Sequence, residues 1–282
     1  MKRLTSLLLA LVTVSCAWAE FDGPAPLSWR WAGATSVVPG GAPIVEDDVL
    51  YAAVGNRIYG ISRESGNQVW RYPAGVPIEA NFRLGCVMAG DLIIAPADNQ
   101  LVYAVNKVTG ELVWQGNLPA QATGLPAVLD GKVVVPIVGN KVVGFATDSG
   151  NMLWPEPYTV PGGVPGQIVG HRNSIIFIND AGELKSVDMT SFEDQFSIRL
   201  QRFSRTVAPI VVEDTIFVNS GTYVIALRAS NGRAAWQANT NTNLVFAPAV
   251  SDDYVAAVGS NGEIFVLNRN NGSHVSGKAF AL

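Results

Sequence analysis

The feature that most constrains this chain is a phrase that recurs. "YGISRESGNQVW" (Tyr59 to Trp70), "YAVNKVTGELVW" (Tyr103 to Trp114), "VGFATDSGNMLW" (Val143 to Trp154) and "IALRASNGRAAW" (Ile225 to Trp236) each read as strand, tight turn, strand. Each carries a turn glycine, Gly66, Gly110, Gly150 or Gly232, and each ends on tryptophan. Gly272 marks a further copy, and successive turn glycines lie 44, 40, 82 and 40 residues apart, the long gap being two periods. The unit hidden in that gap lies near Thr190 and Ser191, where the turn glycine is lost but the strands "SIIFIND" (Ser174 to Asp180) and "ELKSVD" (Glu183 to Asp188) remain. Six units of about 40 residues, built only of short β-runs, predict an all-β chain: a single β-propeller of about six four-stranded blades.

Within a unit, the first strand starts at Pro43, Pro126, Pro165, Pro209 or Pro248, with Cys86 at the matching place in the second. Ten residues before each blade tryptophan stands a small residue: Gly60 for Trp70, Ala104 for Trp114, Gly144 for Trp154, Ala226 for Trp236. Ser186 precedes Phe196 by the same interval. A hairpin places such positions side by side, so the small residue makes room for an indole lying flat across the blade, where it removes roughly 150 to 250 Å² from water. The sixth unit breaks the pattern with Val266 followed by Ser276. An orphan strand, "LSWRWAG" (Leu27 to Gly33), puts Trp31 39 residues before Trp70, about one period. The expectation is that this N-terminal strand supplies the outermost strand of the last blade and closes the ring, with the tail "HVSGKAFAL" (His274 to Leu282) competing for the slot.

Hydrophobic residues make up 48% and charged residues 15%, too apolar for disorder, and a net charge of −4 argues against a nucleic-acid groove or a polybasic membrane footprint. Lys2 and Arg3, the apolar run Leu4 to Val14, and Ala17-Trp18-Ala19 read as a signal peptide over residues 1–19, leaving a propeller domain over 20–282. Lipidation at Cys16 is the alternative, although Thr13-Val14-Ser15 lacks the leucine usual in such signals. After cleavage only Cys86 remains, so no intramolecular disulfide can form, and no transmembrane span is expected. A monomer in the periplasm or outside the cell is the expected state.

No catalytic, cofactor or metal constellation stands out. His171 and His274 are far apart in sequence, Asp47-Asp48 and Asp252-Asp253 occupy turns, and Cys86 reads as a buried thiol. What remains is surface. In each unit the four strands, a to d, are antiparallel, so the d-to-a loops and b-to-c turns share one face. Those loops vary, which is where recognition of an envelope protein or peptide would be written. Two stand out: "IEANFRLG" with Asn81, Phe82 and Arg83, and "IRLQRFSRTV" with Arg199, Arg202, Phe203 and Arg205. Phe82 and Arg205 hold matching positions, so both are expected to point toward the central funnel. Arginine with aromatics is the composition of interaction hot spots.

The strand, turn, Gly and Trp phrase resembles the pyrroloquinoline-quinone (PQQ)-like propeller repeat, over nearly the whole chain beyond residue 19. Families sharing that repeat include quinoprotein dehydrogenases, the propeller lipoprotein of the outer-membrane β-barrel assembly machinery, and sensor domains of bacterial kinases. The resemblance implies a non-catalytic, exported binding scaffold without cofactor, the alternative being a propeller that binds PQQ or another small ligand. The quinoproteins are longer and eight-bladed, and many carry an adjacent cysteine pair that this chain lacks.

Overall fold

The computed structural model describes residues 41–164, 168–201, 209–275 and 280–281. The predicted signal segment, Cys16, Trp31, Pro165, Arg202, Phe203 and Arg205 lie outside them. The described chain is all β, in six four-stranded antiparallel sheets taken in sequence order. Blade 1 holds β1 (Ile44–Glu46), β2 (Val49–Val54), β3 (Arg57–Ser62) and β4 (Gln68–Tyr72); blade 2 holds β5 (Val87–Ala89), β6 (Leu92–Pro96), β7 (Leu101–Asn106) and β8 (Leu112–Asn117). Blade 3 holds β9 (Ala127–Leu129), β10 (Lys132–Ile137), β11 (Lys141–Ala146) and β12 (Tyr158–Thr159); blade 4 holds β13 (Ile168–His171), β14 (Ser174–Ile178), β15 (Glu183–Asp188) and β16 (Asp194–Arg199). Blade 5 holds β17 (Ile210–Val212), β18 (Thr215–Ser220), β19 (Tyr223–Arg228) and β20 (Ala234–Asn239); blade 6 holds β21 (Ala249–Val250), β22 (Tyr254–Val258), β23 (Glu263–Asn268) and β24 (Phe280–Ala281). No helix long and apolar enough to cross a membrane occurs among these residues.

The spacing of ten residues becomes a register. Gly60 pairs with Trp70, Ala104 with Trp114, Ser186 with Phe196 and Ala226 with Trp236. In all four hairpins the register slips just before the aromatic, leaving Val69, Val113, Gln195 or Ala235 as the extra residue of a β-bulge. A bulge turns the strand locally and re-aims the next side chain. Here it lays the ring against the adjoining blade. A Cβ built on Gly110, Gly150 or Gly272 would come within 2.6 Å of the ring of Trp70, Trp114 or Trp236 in the preceding blade. Each of those indoles also donates its Nε1–H across the seam, Trp70 to the Lys107 carbonyl at 2.9 Å, Trp114 to Thr147 at 2.8 Å and Trp236 to Arg269 at 2.8 Å. The apolar core accordingly divides by seam: one cluster joins Trp70 and Phe82 to Ile93 and Tyr103, the next Ile94 and Trp114 to Val135 and Phe145.

The third seam is built differently. Pro155 and Pro157 remove two strand donors after Trp154, so pairing with β11 stops and resumes only at Tyr158. The lost turn glycine of blade 4 is Phe192, held at φ +59°. Its ring meets Trp154 edge-on at 5.2 Å and stacks on Tyr158 at 4.4 Å, and its carbonyl accepts from the Tyr158 hydroxyl at 2.9 Å.

The expected closure by the N-terminal strand is corrected at the last blade. The outer slot beside β23 is taken by the tail, Glu263 pairing with Ala281 and Ile264 with Phe280. An isolated bridge from Leu267 to His274 begins the pairing of that strand, as one from Phe145 to Met152 begins the outer strand's pairing in blade 3, and in both the ladder resumes six residues later. Val266, opposite Ala256, stands where other blades have a glycine, alanine or serine, and a branched side chain leaves less room beside it than those do.

Candidate interaction face

The d-to-a loops and b-to-c turns meet on one face and are stitched together by backbone bonds. The Phe82 N–H donates to the Gly55 carbonyl at 2.6 Å, and the Asp98 N–H to the Asn81 carbonyl at 3.0 Å. Between blades 5 and 6 the Leu244 N–H donates to Gly221 at 2.9 Å and the Ser260 N–H to Asn243 at 2.7 Å. These two loops therefore tie the b-to-c turn of one blade to that of the next, and part of their backbone is paired in doing so.

This stitch explains where the sequence-predicted residues fall. Phe82 is fully buried, its ring edge-on to Tyr103 at 5.6 Å, so it is a seam residue and presents nothing to the funnel or to a partner. The position is inward because it lies on the bridged side of the loop, as does buried Ala122 between blades 2 and 3. Asn81 is half-buried, with its N–H 2.7 Å and its amide 3.2 Å from the Asp98 carboxylate. The Arg83 side chain is 63% exposed, but its Nε–H is bound to Asp98 at 3.0 Å. Partial burial alone would raise the Asp98 carboxyl; the Asn81 N–H, the Arg83 guanidinium and the Asn81 amide outweigh it and hold the group below the ordinary aspartate value. Arg199 is exposed at the end of β16, opposite Glu183, on an outer strand rather than in a loop.

The face also presents residues that sequence reasoning passed over. Phe246 is 62% exposed and the preceding Val245 40% exposed, in the loop between blades 5 and 6. The Asn219 amide donates to the Phe246 carbonyl at 2.6 Å, while the Asn219 Oδ1 is buried without a partner. Strand b carries Ala53, Pro96, Pro136, Ile178 and Val258 at the places matching Asn219. A polar residue at a strand position that is apolar in every other unit, next to a loop with an aromatic two residues before its proline, was the available signal.

The opposite face is an ionic belt. Lys107 lies 2.7 Å from Glu46, Arg269 lies 2.7 Å from Glu213, and Asp214 accepts from both His171 at 2.9 Å and Arg172 at 2.8 Å. His171 is thus a blade-to-blade tie. Cys86 is buried, and burial pushes its thiol up to about 12, against a smaller lowering by a backbone hydrogen bond from Ala53, so it is no nucleophile. Among the described residues no three His, Cys, Asp or Glu side chains converge on a common point.

A family profile described as "outer membrane protein assembly factor BamB" matches residues 54–276. The protein of that name from Moranella endobia is 23% identical over 260 residues, covering 86% of this chain and 65% of its own length. Quinoprotein alcohol dehydrogenase PedH of Pseudomonas putida is 24% identical over 137 residues, 43% of this chain but 23% of the dehydrogenase. The chain thus spans under two-thirds of the length of either relative. The crystal structure of BamB from Moraxella catarrhalis superposes with a TM-score of 0.57 at 19% identity, over 85% of this chain and 74% of that one. The likeness to it is one of fold.

Proposed function

The chain belongs to the outer membrane protein assembly factor BamB family, and on that premise we propose that it is a non-catalytic propeller scaffold which binds an envelope polypeptide through its d-to-a face. The single observation that carries this reading is the pair Val245 and Phe246, exposed on a loop that backbone hydrogen bonds from Leu244 and Val245 tie to the b-to-c turn of blade 5 and to β22. An aromatic held outward on a rigid frame has little ordering entropy to lose on binding, the condition under which a few residues dominate an interface. Arg199, Arg202, Phe203 and Arg205 extend the proposed surface. Export by residues 1–19 and action as a periplasmic monomer, with Cys16 lipidation as the alternative, belong to the same proposal.

Co-purification of the outer-membrane assembly machinery with the full-length protein tests it. Phe246→Ser is expected to lower recovery by roughly 30-fold, the loss of one aromatic anchor worth about 2 kcal/mol. Arg202→Glu with Arg205→Glu is expected to lower it further. Equal recovery by all variants overturns the face assignment.

The similarity to quinoprotein dehydrogenases over 43% of the chain favours a second reading, a propeller that binds PQQ or a related small ligand. Titration with PQQ and calcium separates the two. Stoichiometric binding with a shift in quinone absorbance would establish the second and displace the first.

A further inference from the structure

We infer that the outer seam between blades 1 and 2 is a separate binding site, which takes an extended polypeptide segment carrying an aliphatic side chain beside a basic one. Two clefts, of about 630 and 350 Å³, open there and share Trp70 in their walls. The larger runs past Tyr72, Pro73 and Leu112, and the smaller past Tyr51, Val69 and Val108. Val69, Val108 and Leu112 stay 56%, 71% and 41% exposed around them. An apolar patch with a polar rim, left open by its own fold, marks an interaction site.

The blade does not need Val108. All six c-to-d turns close identically, with the N–H of Gly66, Gly110, Gly150, Phe192, Gly232 or Gly272 donating to the carbonyl four residues earlier. Geometry therefore fixes which residues correspond. At the place of Val108 the other five turns carry Glu64, Asp148, Thr190, Ser230 and Asn270. The turn tip is polar five times, Ser230 included although it too borders a cleft, and apolar only at Val108.

Charge and edge select the occupant. Glu46 and Asp47 line the smaller cleft, and Lys107 beside them is shared between Glu46 at 2.7 Å and Asp91 at 3.5 Å, so acids outnumber the one base. A cationic side chain is favoured there and an anionic one repelled. Among the described residues β4 is the outermost strand of its sheet, so one side of its backbone faces no described strand and can take an added one. A strand points every second side chain to the same face, roughly 6.6 Å apart, letting an aliphatic group enter beside Leu112 while a Lys or Arg two residues along reaches toward the Glu46 rim.

Three acetylated decapeptides in which every second residue is Ser and the residues between alternate as Leu and Lys (the Leu-Lys peptide), Leu and Glu (Leu-Glu) or Ser and Lys (Ser-Lys), titrated into the intact protein with amide NMR detection, test the site. The Leu-Lys peptide is expected to shift Val69, Trp70 and Val108 saturably, and the other two to bind at least about tenfold more weakly. Val108→Asp, which installs the residue that blade 3 carries, is expected to weaken the Leu-Lys peptide about tenfold with the melting temperature unchanged. Absence of saturable shifts at millimolar peptide overturns the inference. So does equal binding by the Leu-Glu peptide, an unaltered affinity for the variant, or a response confined to Val245 and Phe246.

Discussion

Trp114 and Gly150 meet across the seam between blades 2 and 3, where a Cβ on Gly150 would sit 2.6 Å from the indole. Gly150 also turns the chain at φ +68°, so the one residue serves both the turn and the close approach. Gly150→Ala is expected to destabilise by more than the roughly 1–2 kcal/mol of the left-handed backbone alone, since the indole must also move. Equilibrium unfolding in urea reads the loss, and a cost below about 1 kcal/mol would show that the seam yields freely.

Trp114→Ala removes the other partner, together with the Nε1–H bond to Thr147. The expected loss is about 3–5 kcal/mol, the range for truncating a large buried aromatic. Thermal unfolding compared with an exposed control such as Val138→Ala checks it.

Phe192 sets strain against packing. Phe192→Gly relieves a left-handed backbone worth roughly 1–2 kcal/mol but gives up the contacts with Trp154 and Tyr158, which for a fully buried ring would be worth about 3–5 kcal/mol. The ring is half-buried, which roughly halves that figure, so a net loss below about 1 kcal/mol is expected. A higher melting temperature would mean that strain outweighs the aromatic cluster.

The Cys86 thiol, at about 12, stays protonated at neutral pH. Ellman's reagent at pH 8 is expected to leave the folded protein essentially unlabelled and to label it stoichiometrically in denaturant. Rapid labelling of the native protein would contradict the burial of this strand.

Asp98 has a folded value below its unfolded one, near 3.9 for a free aspartate. Its stabilisation is therefore complete above pH 4 or so and is lost as pH falls through the folded value, because the unfolded chain then binds more protons. Asp98→Asn is expected to be less stable than the wild type at pH 6 and to lose less between pH 5 and 2. Parallel pH profiles for the two proteins would remove Asp98 from the loop stitch.

The repeat alone determined the strands, the blade count and the pairings of Gly60 with Trp70 and Ala226 with Trp236. Those pairs close through a single tight turn, so spacing ten residues apart is enough to specify them. The turn glycines were legible for their backbone conformation, but their second role, receiving the indole of the preceding blade, involves residues about 40 apart and appears only when blades stack. The same non-locality governs the rest. Phe82 looks like a surface hot spot until Gly55, in another hairpin, draws its loop inward. The Asn219 and Phe246 pair needs two segments that no local period connects. Which terminus lies beside β23 is a contest between segments far apart in sequence, and only the packed structure, in which Phe280 and Ala281 pair with Ile264 and Glu263, resolves it for the tail.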